Sequence, residues 1–298
     1  MNKIENDKVS HHLMAKKLTL FSFFTWFWML NALNVKAQDP NFHIYLCIGQ
    51  SNMEGNANFE PQDTSGINAR FKVLQAVDCD NKGRQMGKWY TAIPPLTRCN
   101  TGLTPVDYFG RTLVDNLPKK VRVGAIVVAV GGSKIELFDK NNYGSYTATA
   151  PDWMKGMLKA YQDNPYGRLI TMAKIAQKDG IIKGILIHQG ESNTGDKLWP
   201  QKVKDVYNNI LNDLNLKPNE VPLLAGEVVH KAQNGKCASM NEIIDKLPQT
   251  VPTAHVVSSE GCGVADDLLH FNIAGYRELG KRYAEVMLPL LKKKSKSK

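Results

Sequence analysis

The sequence predicts an α/β protein with three layers, α/β/α, built around a five-stranded parallel sheet. Three observations carry this prediction. Five short, apolar, β-branched runs alternate with segments of helical periodicity, and that alternation implies crossover units and a parallel sheet. Each run is short and predominantly apolar, as expected for parallel strands covered on both faces. The 298-residue chain less its first 37 residues has a length that suits one large domain.

The strands are expected at residues 43–48, 121–130, 183–188, 221–228 and 254–258. A helix over 106–117 starts behind Pro105, whose fixed φ suits a first turn. A second, over 166–179, repeats apolar residues at Leu169, Ile170, Ala173 and Ala176, with Gly180 as its C-cap. A third, over 203–214, repeats Val203, Val206, Ile210, Leu211 and Leu214. Asn272 caps a last helix that runs to Leu291. The Gly- and Asn-rich stretch from Gly55 to Thr104 has weak periodicity and reads as an extended loop.

The ends differ from the body. Lys16 and Lys17 precede a short apolar run rich in Phe and Trp, and Val35-Lys36-Ala37 follows it. A basic start, a short apolar core and a small-x-small site describe a secretory signal peptide. The run is broken by Asn31 and Asn34 and is too short for a spanning helix. Residues 1–37 are therefore expected to be an N-terminal extension and leader, with Met14 as a natural start, cleavage after Ala37, and a secreted or periplasmic product without stable membrane insertion. Of the net charge of +10, residues 1–37 carry +3 and residues 292–298 carry +5, leaving +2 on 38–291. The basic balance is thus terminal, and a Lys/Ser-rich tail is not the clustered basic face of a nucleic-acid protein.

All five cysteines lie in the body. Cys79 with Cys99, and Cys237 with Cys262, are the expected disulfides, with Cys47 a buried free thiol in a strand; connectivity itself is not readable from sequence. No Cys-x-x-Cys pair is present, and no metal or other cofactor is implied.

Ligands of such folds gather at the carboxyl ends of the strands, and the polar clusters fall there. Ser51 follows the first strand, Gly131-Gly132-Ser133 the second, and His188-Gln189-Gly190-Glu191 ends the third. Asp267 and His270 precede the last helix. A serine hydroxyl needs a base to take its proton, usually a histidine oriented by a carboxylate. Ser51 as nucleophile, His270 as base and Asp267 as its orienter supply that set, with Glu191 as the alternative acid. The backbone amides of Ser51 and of Gly131 or Gly132, and the Gln189 side chain, are candidate donors to the oxyanion of an acyl-transfer intermediate. Trp89, Tyr90, Trp153 and Trp199 offer either core packing or stacking on sugar rings. His188, Glu191, Asp267 and His270 are possible metal ligands, but His188-x-x-Glu191 at a strand end is not the helical zinc-protease pattern.

The segments Gly49-Gln50-Ser51-Asn52-Met53, Gly131-Gly132-Ser133, His188-Gln189-Gly190-Glu191-Ser192 and Asp267-x-x-His270 occur in this order. Together with Gly102-Leu103-Thr104-Pro105 and Asp107-Tyr108-Phe109-Gly110 they make the chain resemble the SGNH hydrolase superfamily. Within it, the chain is similar to the sialic-acid-specific acetylesterase-like group and to carbohydrate esterase family 6, which includes acetylxylan esterases. The resemblance spans roughly residues 43–291. It implies a flavodoxin-like version of the fold and a carbohydrate O-acetylesterase working through an acetyl-serine. Acetylated oligo- or polysaccharide is the implied substrate, acetylxylan before 9-O-acetyl sialic acid. It assigns Ser51, His270 and Asp267 the roles already given. The wider superfamily uses an Asn side chain as a further oxyanion donor, where this chain has Gln189. Met53 stands where a lipase-type Gly-x-Ser-x-Gly elbow would need its second glycine. A reading of another class is a non-catalytic carbohydrate-binding protein on the same scaffold.

Overall fold

The computed structural model describes residues 37–295. The expected leader therefore lies outside the described residues.

Seven strands form one sheet: β1 (Asp39–Gly49), β2 (Phe71–Leu74), β3 (Trp89–Thr91), β4 (Arg122–Ala129), β5 (Gly180–His188), β6 (Leu223–Gly226) and β7 (Ala254–Val257), in the order β3-β2-β4-β1-β5-β6-β7. All neighbours are parallel except β2 and β3. The five expected strands are the inner and far part of this sheet. The chain leaves β1 toward one side and later returns to build the other side, so its direction of growth reverses between β1 and β5. That is where an open α/β sheet opens a crevice.

Strand residues alternate between two cores, because successive side chains point to opposite faces. Ile44, Leu46 and Ile48 of β1 enter one cluster, with Ile126, Val128, Ile185 and Ile187. Tyr45 and Cys47 enter the other, together with Val123, Ala125 and Val127 of β4. The principal helices are α1 (Ser51–Glu54), α2 (Pro105–Asn116), α3 (Asp152–Lys159), α4 (Pro165–Ala176), α5 (Trp199–Asp213) and α6 (Ile273–Ser295). α3, α4 and α5 cover the first core, α2 and α6 the second. Three of these helices have side-chain caps at their starts. Thr104 and Asp107 form a reciprocal capping box at α2, with Pro105 in its first turn. Asn164 accepts from the Gly167 amide at α4, and Asn272 accepts from the Gly275 amide at 2.9 Å at α6.

The structure departs from expectation in four places. The loop region contributes two more strands on one side of the sheet, β2 and, at the edge, β3, only four and three residues long, too short for a periodic signal. Gly180 opens β5 rather than capping α4, and a Cβ there would stand 2.5 Å from the Phe42 carbonyl oxygen; it is the close approach of β1 that requires glycine. The last helix continues past Leu291 into the basic segment, to Ser295. Cys79 and Cys99 are bonded, with 5.4 Å between their Cα atoms, but Cys237 and Cys262 are free, like Cys47. Cys237 packs against one core and Cys262 belongs to the other, so the sheet separates them.

Candidate active site

Register brings the strand ends level. Gly49 pairs with Ala129 on one side and with His188 on the other. A Cβ at position 49 would stand 2.1 Å from the His188 carbonyl oxygen, so only glycine lets β1 turn directly into α1 against β5. Ser51 opens α1, and Gly131-Gly132 and Gln189-Gly190 leave the neighbouring strands at the same edge.

Ser51, His270 and Asp267 meet there. Ser51 Oγ lies 2.8 Å from His270 Nε2, and His270 Nδ1 lies 2.6 Å from Asp267 Oδ2. Asp267 Oδ1 accepts from the Leu269 and His270 amides, at 2.9 Å each. Leu268, between them, takes a left-handed conformation (φ 57°), which folds this short loop back on itself. Burial pushes the Asp267 carboxyl up, but the imidazole and the two amides outweigh it and hold it at about 2. An ionised carboxylate only accepts, so the proton between them belongs to Nδ1. Nε2 of the neutral ring is then an acceptor for the serine hydroxyl.

Glu191 has a different post. Its Oε1 accepts from Asn52 Nδ2 at 2.5 Å, and its Oε2 is buried without a hydrogen-bond partner among the described residues. Burial raises its pKa, opposed by the Asn52 hydrogen bond. Asn52 in turn donates to the Leu269 carbonyl at 3.1 Å and accepts from the Phe271 amide (3.2 Å) and the Tyr276 hydroxyl (2.8 Å). It therefore grips the chain on both sides of His270. Asn52 had a signal in the sequence, its place beside Ser51, but its partners are remote and were not readable.

Gln189 and Gly131 are differently engaged from the sequence expectation. Gln189 Nε2 donates within a network to Asn193 Oδ1 (2.7 Å), Gln50 Oε1 (3.1 Å) and the Ser133 carbonyl (3.3 Å), while its Oε1 accepts from Trp199 Nε1 at 2.5 Å. The expected third oxyanion donor is thus already committed, and Gln189 ties together the loops after β1, β4 and β5. The Gly131 amide donates to Glu54 Oε1 at 3.3 Å, and Glu54 is ion-paired with Arg98. Glu54 and Arg98 carried no sequence signal, because the contact joins α1 to the loop next to the disulfide. The Gly132 amide has no protein acceptor among the described residues, and Gly132 is held at φ +67°. Ser51 is the first residue of α1, where an amide has no intrahelical acceptor.

His188 is a core residue. It is fully buried, its Nδ1 lies 3.2 Å from the Tyr283 hydroxyl, and burial lowers its pKa to about 3. Among the described residues no group of three or more His, Cys, Asp or Glu side chains gathers as a metal site would require. No helix among them is long and apolar enough to cross a membrane.

Solved structures with the same fold include a protein from Arabidopsis thaliana, 21% identical, with a TM-score of 0.65 over 84% of this chain and 99% of that one. NanS is 17% identical, with a TM-score of 0.61 over 86% of this chain and 99% of that one. A carbohydrate acetylesterase from Xanthomonas citri is 19% identical, with a TM-score of 0.56 over 81% of this chain and 55% of that one. The sequence model of the family described as carbohydrate esterase, sialic acid-specific acetylesterase, matches residues 41–289. The chain belongs to this carbohydrate esterase family, whose members act on acetyl groups of sugars.

Proposed function

We propose that this protein is an exported carbohydrate O-acetylesterase that cleaves sugar acetates through an acetyl-Ser51 intermediate. The observation that carries the reading is the aligned series Ser51 Oγ, His270 and Asp267, at 2.8 and 2.6 Å. His270 Nε2 takes the hydroxyl proton as Oγ attacks the acetyl carbonyl carbon. The negative charge that forms on the carbonyl oxygen is met by the Ser51 and Gly132 amides. Collapse of the intermediate expels the sugar oxygen, which receives the proton from His270. Water, deprotonated by the same nitrogen, then attacks the acetyl-serine, releasing acetate and restoring Ser51. Asp267 stays ionised throughout and stabilises the imidazolium.

Acetylated xylan oligosaccharides are the first substrate and 9-O-acetyl sialic acid the second, the latter favoured by the description of the family that matches. A binding-only role is disfavoured, since it needs no hydroxyl aligned with an imidazole. Export belongs to the same proposal: the leader pattern at the N-terminus and the Cys79–Cys99 disulfide both suit an oxidising compartment. The test is Ser51→Ala. This variant should fold normally and lose turnover of 4-nitrophenyl acetate by about 10³-fold or more. Retained turnover would refute the serine mechanism, and acetate release from the two sugar esters, measured side by side, decides the order of substrates.

A further inference from the structure

We infer that Trp153 is the platform on which the sugar ring of the substrate lies, its C–H face against the indole, while the acetyl group reaches Ser51. This rests on the acetylesterase reading and names the group that would give the site its preference for sugars over simple esters.

Of the four aromatic side chains that the sequence offers for stacking, three are otherwise employed. Trp199 is fully buried, with its indole N–H on Gln189. Trp89 packs on Phe42, ring centres 4.7 Å apart, and donates to Asp179. The Tyr90 hydroxyl accepts from the Gln85 amide. Trp153 alone of the four is largely open, at 62% exposure.

Its position is set by α3. Met154 and Leu158 turn into the core and anchor the helix. Trp153 and Met157, four residues apart and so on one face, lie along the glycine pair beside the nucleophile. A Cβ at position 132 would stand 2.5 Å from Cη2 of Trp153; one at position 131 would stand 3.6 Å from Met157 Sδ and 3.8 Å from Ser51 Cβ. The indole edge therefore rests on backbone that only glycine leaves bare, one residue from the segment touching Ser51. Indole offers a broad apolar face with little conformational freedom to lose, the surface a pyranose C–H face needs. A short acetate ester without a ring gains nothing from it.

Wild type, Trp153→Ala and Trp153→Phe are compared on vinyl acetate and on partially acetylated xylo-oligosaccharides by acetate release. Trp153→Ala should lose roughly tenfold more kcat/KM on the sugar ester than on vinyl acetate, chiefly through KM, and Trp153→Phe should recover most of that difference. Equal losses on both esters, or none on either, overturn the platform and leave the esterase standing. A wild type inert toward both esters removes the esterase reading and this inference with it. Binding gives a readout apart from turnover. In a Ser51→Ala background, xylo-oligosaccharide or N-acetylneuraminic acid should quench tryptophan fluorescence saturably, and the added Trp153→Ala change should abolish it. Quenching by neither sugar, or quenching that survives Trp153→Ala, overturns the inference.

Discussion

Two carboxylates stand near His270, and their surroundings separate their roles. Asp267 faces the imidazole Nδ1 and is held by two backbone amides; the Glu191 carboxylate instead accepts from Asn52. Asp267→Asn removes the charge that stabilises the imidazolium, and kcat should fall by about 10³–10⁴-fold. Glu191→Gln leaves an acceptor for Asn52 and should cost roughly tenfold or less, by loosening the grip on the His270 loop. Steady-state kinetics of the two variants check this, and the reverse order would assign the acid to Glu191. The Asp267 carboxyl also has a consequence for stability. Its pKa falls from 3.8 to about 2 on folding, so its contribution is fully present above about pH 4 and is lost as the pH falls through about 2. The Asp267–His270 pairing was legible because the two residues are three apart on one loop. The Asn52–Glu191 contact was not, because it spans 139 positions.

At the scale of elements, the site depends on how α6 seats on α2. At Gly280 they approach closely: a Cβ there would stand 2.3 Å from the Pro105 carbonyl oxygen and 2.8 Å from Tyr108 Cβ. α6 also carries Tyr276, whose hydroxyl donates to Asn52, so the seating of this helix reaches the loop that holds His270. Gly280→Ala should destabilise by about 1–3 kcal/mol through overpacking, lowering Tm by roughly 2–4 °C per kcal/mol. A thermal melt identical to wild type would show that the two helices separate without cost. The long helices were legible from their periodicity and caps. α3 was not: at eight residues, with Trp153 turned outward, it offers too few repeats for a pattern, yet it lines the site.

For the whole molecule, the disulfide and the sheet divide the cysteines. Cys79–Cys99 closes a 20-residue separation at the sheet edge and adjoins Arg98, the partner of Glu54. Cys47, Cys237 and Cys262 stay reduced. Protein recovered after export should have an intact mass that begins at Gln38. After denaturation without reductant it should take up three alkyl groups. A retained leader would refute the cleavage site, and a single alkylated thiol would restore the second disulfide.

Local patterns along the chain carry the α/β alternation, the five main strands, the carboxyl edge where the polar clusters collect, and the short spacing of Asp267 and His270. These follow from periodicity, capping and short spacing, all written within a few residues. It takes the packed molecule to show that Asp267 rather than Glu191 faces His270, that Gln189 is committed to loop packing, that Cys237 and Cys262 join cores on opposite faces of the sheet, and that Trp153 stands open against Gly132. Each depends on which distant side chains the register of β1 with β4 and β5 sets side by side, and that pairing has no counterpart in local spacing.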